Sequence, residues 1–217
     1  MTDINAQQRI VVAAFDVDGT LTTGDSVVPF LRRAAGTGDL VRAFAKRPLT
    51  TVGGALRRDR DELKALAIGA LSGRRWADLL TLGEAYADEL AARRLRADTV
   101  ERLAWHRQRG HRIVLVSASL RPYLVPLGMQ LGVDAVLCCE IEVAEGIVTG
   151  RLDGLNCRGP EKLRRLHEWL TGQGLADRAE IWAYGDSAGD RELLAGATRS
   201  FLVRNIVVPS MPDEAHP

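Results

Sequence analysis

The first ordered pattern in the chain is Arg9 to Phe15, RIVVAAF, a short, β-branched and almost continuously apolar run. That pattern predicts a strand buried on both faces, as in a parallel sheet. It stops abruptly at Asp16-Val17-Asp18-Gly19-Thr20, a polar turn with a glycine. From about Asp25 to Leu103 the period changes. Apolar positions recur at helical spacing, with Leu63, Leu66, Ala67 and Ala70 on one face and Leu79, Leu80, Leu82 and Tyr86 on another, interrupted by Pro48 and by Gly53-Gly54. Several helices are expected there. Strand and helix then alternate: a strand from His111 to Val116, a turn over Ser117 to Leu120, a helix from Tyr123 to Leu131 and a short strand from Ala135 to Cys138. Next come a hairpin of Ile141–Val143 and Ile147–Thr149 around Glu145-Gly146, and a helix from Pro160 to Leu170 with proline in its first turn. A strand at Ile181–Tyr184, the turn Gly185-Asp186-Ser187, a helix through Leu194 and a last strand at Thr198–Val203 complete the pattern, and Pro209 to Pro217 reads as a loose tail.

Alternation of this kind implies an α/β fold with a doubly wound parallel sheet. The expected division is an α/β core from residues 1–24 and 104–217, and a small helical cap domain from 25–103 inserted after the first strand. Polar groups follow three separate strand ends, at Asp16/Asp18, Ser117 and Asp186. In open α/β sheets that edge is where ligands bind.

With 217 residues, 46% of them apolar, the chain is long enough to bury a core without staples. A formal net charge of +1 gives the whole molecule no strong field toward nucleic acid. The arginines of the insertion have no aromatic platform beside them, which argues against a nucleic-acid partner. No apolar run approaches the roughly 20 residues that cross a bilayer, and the polar start, Met1 to Gln8, lacks a secretory layout. Cys138, Cys139 and Cys157 form no disulfide framework, and the four histidines stand at no metal-ligand spacing to them. Together these features predict a cytoplasmic protein without a zinc site.

Asp16 and Asp18 flank one residue on an extended segment, so both side chains can face one way. A divalent cation relieves repulsion between such carboxylates, leaving one to act as nucleophile and the other as general acid and base. Gly19 allows backbone N–H groups close to an anion. The alternative is a turn with two solvated aspartates. Val116-Ser117-Ala118-Ser119 offers a hydroxyl and N–H groups at a strand end, or simply a helix cap. Lys162, in the first turn of a helix, is a poor partner for the helix dipole unless an anion lies near; a surface lysine is the alternative. Gly185-Asp186-Ser187-Ala188-Gly189-Asp190 places two carboxylates at a strand-to-helix junction, suited to a hard cation or to capping.

In order, Phe-Asp-Val-Asp-Gly-Thr-Leu-Thr (15–22), Val-Ser-Ala-Ser (116–119), Lys162 and Tyr-Gly-Asp-Ser-Ala-Gly-Asp (184–190) resemble the four motifs of the haloacid dehalogenase (HAD) superfamily. Within it they are most similar to the phosphoserine-phosphatase-like branch of subfamily IB. The segment Glu142 to Gly154 resembles that branch's hairpin, and a helical insertion between the first two motifs is its habit. The resemblance implies a Rossmann-like core and an Mg²⁺-dependent phosphatase. It makes Asp16 the nucleophile and Asp18 the acid and base, with Ser117, Lys162 and Gly19 at the phosphoryl group. Metal ligation would fall to Asp16, Asp186 and the backbone carbonyl of Asp18, with Asp190 and Ser187 in support.

This chain also departs from phosphoserine phosphatases. It has Gly19 where they usually carry Ser, Asp25 near their Glu for the substrate amine, and Ala118-Ser119 where they have Gly-Gly. Asp25 is thus a substrate contact or a helix N-cap. The branch implies a small phosphorylated substrate such as phosphoserine or histidinol phosphate, or the lipid phosphatidylglycerophosphate. Arg32, Arg33, Arg42, Lys46, Arg47, Arg57, Arg58 and Arg60 read as a solvated face or as a lid that attracts an anionic substrate or lipid headgroup. Gly36-Thr37-Gly38 and Gly53-Gly54 are hinges or helix ends. A phosphotransferase or mutase, and a non-catalytic regulatory domain, are the rival readings on the same fold.

Overall fold

The computed structural model describes residues 9–45 and 60–203. Strand β1 (Ile10–Phe15) is followed by α1 (Val27–Ala35), α2 (Thr37–Ala45), α3 (Arg60–Gly69), α4 (Trp76–Arg93) and α5 (Ala97–Gln108). Then come β2 (Arg112–Leu120), α6 (Arg121–Leu131), β3 (Ala135–Ala144), β4 (Ile147–Asp153), α7 (Pro160–Gly172), β5 (Ala179–Gly185), a 3₁₀ turn (Ala188–Asp190), α8 (Arg191–Ala195) and β6 (Arg199–Leu202). The sheet runs β4-β3-β2-β1-β5-β6. All neighbours are parallel except β3 and β4, the antiparallel hairpin. Its central strand is fully buried from Val12 to Phe15, as a two-faced parallel strand requires.

Strand order reverses at β1, which pairs with β2 on one side and β5 on the other. The crevice beyond the C-terminal ends of these three strands is the switch point of the fold. Two stretches differ from expectation. Ser117–Leu120 is not a turn: β2 continues through it, shifts register after Val116↔Leu137 and pairs again at Leu120↔Cys139. The short strand and the first hairpin arm are likewise one ten-residue strand, β3, because parallel pairing to β2 hands over directly to antiparallel pairing with β4 at Glu140↔Asp153.

In the insertion, α3 buries Ala67 and Ile68, and α4 buries Leu79, Gly83, Tyr86, Ala87 and Leu90 along one stripe. Helix α4 lies directly on α6: a Cβ added at Gly83 would stand 2.0 Å from the Pro122 carbonyl oxygen. Gly36 ends α1 at φ +80°, whereas Gly38 lies inside α2. Arg33 pairs with Glu89 at 2.8 Å and Arg42 with Asp39 at 3.3 Å on the surface, as a solvated face does. Pro48, Gly53-Gly54, Lys46, Arg47, Arg57, Arg58 and the loose-tail segment lie outside the described residues, as does the Arg60 side chain.

Candidate active site

The four motifs converge on the switch-point crevice. Asp16 leaves β1 with its N–H donating to the Tyr184 carbonyl at 2.9 Å, and the preceding ring, Phe15, stacks on Tyr184 at 4.3 Å. The backbone under Asp16 is therefore fixed by the sheet and by an aromatic stack. Lys162, in the first turn of α7, reaches in from the other side. Its buried ammonium donates to Asp16 Oδ1 and to Asp190 Oδ1, the latter at 2.5 Å. Asp190 uses its second oxygen to accept from Ser187 N at 3.0 Å, Ser187 Oγ at 2.9 Å and Asp186 N at 3.3 Å. It thus clamps the 186–190 turn and holds Lys162, while Ser187 closes a capping box with it.

Asp16, Asp186 and Asp190 each place a carboxylate oxygen within 4.8 Å of the others. This all-oxygen set suits a small hard cation. Gly19 makes the approach possible: at φ +85°, a Cβ there would stand 2.2 Å from Asp186 Oδ2. Burial pushes the Asp16 carboxyl up to about 7, against the pull of the Lys162 ammonium. Burial works against the Lys162 charge in turn, and Asp16 with Asp190 more than offsets it, so its pKa rises. A bound cation would draw Asp16 back to the carboxylate form.

The carboxylate of Asp18 stands outside this cluster. Its Oδ1 accepts from Ser26 N at 3.0 Å and Ser26 Oγ at 2.5 Å, and its Oδ2 from Ser119 Oγ at 3.3 Å. Ser26 Oγ in turn meets the Tyr123 hydroxyl at 2.9 Å, and the Tyr86 hydroxyl donates to the Ser26 carbonyl at 3.0 Å. Burial lifts Asp18 to about 6, with the Ser26 bonds opposing the rise. Asp16 and Asp18 thus occupy distinct environments, one facing an ammonium and carboxylates, the other a hydroxyl network. Divergent environments of this kind separate acid from nucleophile.

Ser117 is buried at the crevice, its Oγ accepting from Ser119 N at 3.1 Å. Asp25 accepts from Val27 N at 3.3 Å and Val28 N at 3.0 Å, the helix-capping arrangement, at the rim of the same cavity. That cavity, about 670 Å³, is also bordered by Lys64, Asn156 and Arg158. Nothing in the sequence marks Ser26 or Ser119 as partners of Asp18, Tyr123 as a partner of Ser26, or these three cavity residues as part of the site. Ser26 reads locally as a helix start, and nothing near Tyr123 in sequence announces a contact 97 residues away.

The haloacid dehalogenase-like hydrolase family model matches residues 13–195. The chain belongs to this family. It is 35% identical over 187 residues to Protein CicA of Caulobacter vibrioides, covering 85% of this chain and 82% of that one. It is 29% identical to phosphoserine phosphatase SerB1 of Mycobacterium tuberculosis over 189 residues, covering 84% and 61%. Among solved structures, a Bordetella pertussis protein of unknown function superposes with a TM-score of 0.70 at 25% identity, covering 90% of each chain. A phospho-aspartyl intermediate analogue of phosphoserine phosphatase superposes at 0.62, with 18% identity and coverage of 90% and 86%, which supports the fold alone. As a HAD hydrolase of the phosphoserine-phosphatase-like kind, the chain is an enzyme of the phosphatase class.

Proposed function

We propose that this protein is a Mg²⁺-dependent phosphomonoester phosphatase that works through an aspartyl-phosphate on Asp16. The observation that carries the reading is that Asp16 is paired with the buried Lys162 ammonium and has carboxylate oxygens of Asp186 and Asp190 within 4.8 Å of its own. A carboxylate so placed is held by one fixed cation and borders a site suited to a second, hard cation. Asp16 and Asp186, with the backbone carbonyl of Asp18 as the family resemblance implies, would hold the ion; Asp190 is committed to Lys162 and the 186–190 turn. Mg²⁺ bound there supplies neutralisation of the negative charge that spreads over a transferring phosphoryl group.

Asp16 attacks phosphorus, forming one P–O bond as the bond to the leaving oxygen breaks. Asp18, held on Ser26 and Ser119, gives its proton to that oxygen. It then takes a proton from the water that attacks the acyl phosphate, which restores Asp16 and frees inorganic phosphate. Ser117, the Gly19 turn and Lys162 bind the phosphoryl oxygens. No helix among the described residues is long and apolar enough to cross a membrane. The three buried free thiols suit our further reading that the enzyme is cytoplasmic. The test is phosphate release from phosphoserine, histidinol phosphate, phosphatidylglycerophosphate, sugar phosphates and nucleotides with Mg²⁺. Release that survives thorough chelation, or that survives Asp16→Asn, overturns the reading.

A further inference from the structure

The phosphoryl end of the crevice is defined by Asp16, Ser117 and Lys162, so the leaving group must lie along the remaining wall. That wall is mostly apolar: Val27, Val28 and Leu31 of α1 face Leu63 and Ala67 of α3. It does not stop there. A second cavity of about 250 Å³ shares Val28, Leu31 and Ala67 with the first and continues to Leu40 and Val41 on α2. Val28 and Val41 are 47% and 61% exposed, large apolar side chains turned to solvent along this path.

Of the charged groups on the leaving-group side, Lys64 and Asp25 already have partners, and Arg32 borders the second cavity. Lys64 donates to the Ala118 carbonyl, to Asn156 Oδ1 at 2.6 Å and to Cys139 Sγ at 3.0 Å. An ammonium has three protons, and all three are accounted for. Lys64 therefore ties α3 to the core rather than waiting for a substrate carboxylate. Asp25, the candidate amine partner, caps α1 through Val27 N and Val28 N. Arg158 lies against Gly189, where a Cβ would meet its Nε at 3.1 Å, on the phosphoryl side. A zwitterionic leaving group would thus meet few free charges in the first cavity, and an apolar one would meet a largely apolar path, with Arg32 and Thr37 at its far end.

We infer that the substrate is a phosphate monoester of an alcohol with an apolar body, which lies between α1 and α3 and extends toward α2. This rests on the phosphatase reading above and narrows its substrate class. Transfer of one methylene from water to a fully apolar site multiplies affinity about four-fold, and a half-open groove about two-fold.

The experiment measures kcat/KM with Mg²⁺ for ethyl phosphate, octyl phosphate and phosphoserine, each below its aggregation concentration, with Asp16→Asn as control. Six added methylenes in a half-open groove predict a preference for octyl over ethyl phosphate on the order of 50-fold. Val28→Asp, at an exposed position, should narrow that ratio by about five-fold or more by placing a charge against the chain, and Val28→Leu should preserve it. Equal rates for ethyl and octyl phosphate, or phosphoserine as the best of the three, overturn the inference and leave the phosphatase reading standing. No Asp16-dependent release from any of the three overturns both.

Discussion

Gly83→Ala sets two effects of opposite sign against each other, and the structure says which wins. In the middle of an exposed helix, replacing glycine by alanine stabilises by about 1 kcal/mol. Gly83, however, is buried at the α4–α6 contact, and the new methyl would stand 2.0 Å from the Pro122 carbonyl oxygen, 2.3 Å from its carbonyl carbon and 2.9 Å from its Cβ. The first two are backbone atoms and cannot rotate aside. Ordinary contact lies near 3.5 Å, so the helices must separate by about 1 Å or more. Overpacking of this kind costs about 1–3 kcal/mol, and a backbone-on-backbone clash belongs at the upper end. The propensity gain does not cover it, and the expected net loss is about 2 kcal/mol in urea unfolding. The same shift would move Tyr86 and Tyr123, both hydrogen-bonded to Ser26, the residue that holds Asp18. Turnover should therefore fall in the folded variant. A Gly83→Ala protein more stable than the parent, by the helix-propensity amount, would refute the packing argument.

Lys162→Met removes the ammonium between two buried carboxylates and should destabilise by about 3–5 kcal/mol when measured by urea unfolding without metal. Added Mg²⁺ should recover part of that loss, and an equal loss with and without metal would count against a cation site at Asp16. Burial, with the nearby His111, Arg102 and Arg109 adding to it, pushes His106 down to about 3. Its folded pKa lies below the unfolded one, so its contribution is present above about pH 6.5 and is lost as pH falls toward 3, by up to about 1.4 kcal/mol per unit. In His106→Phe the slope of stability against pH between 6 and 4 should be shallower; an unchanged slope would contradict this. Tyr123→Phe and Ser119→Ala should lower kcat/KM more for an alkyl phosphate than for p-nitrophenyl phosphate, because only the alkoxide needs the Asp18 proton to leave. Equal losses on both esters would mean that the network supports structure and not the acid.

The strand-ending motifs were legible because they combine two local signals: apolar runs of period-free β-branched residues, and polar clusters immediately after them. Asp16, Asp186 and Asp190 are found together because parallel pairing of β1 with β5 brings those ends to one edge, and Lys162 reaches them from the first turn of α7. The hairpin around Glu145-Gly146 was readable from turn chemistry, with Gly146 at φ +78°. Ser117–Leu120 was not, since serine-rich residues read as a turn, whereas the chain there stays extended and pairs again with β3 at Leu120↔Cys139. The hydroxyl network around Asp18 was equally hidden. Ser26, Ser119 and Tyr123 come from three separate elements, and their convergence depends on the packing of α1, β2 and α6 rather than on any local pattern. Lys64 offers the same lesson, because its bonds to Ala118, Cys139 and Asn156 span up to 92 residues of sequence.

The most direct test of the account is to mix the enzyme with Mg²⁺ and a hydrolysable phosphomonoester, quench rapidly in acid, digest and map the phosphoryl group by mass spectrometry. The account predicts a labile phosphoryl on the peptide containing Asp16, formed at a rate compatible with turnover and absent from Asp16→Asn. Turnover with no phosphorylated peptide, or with the group on another residue, would contradict it.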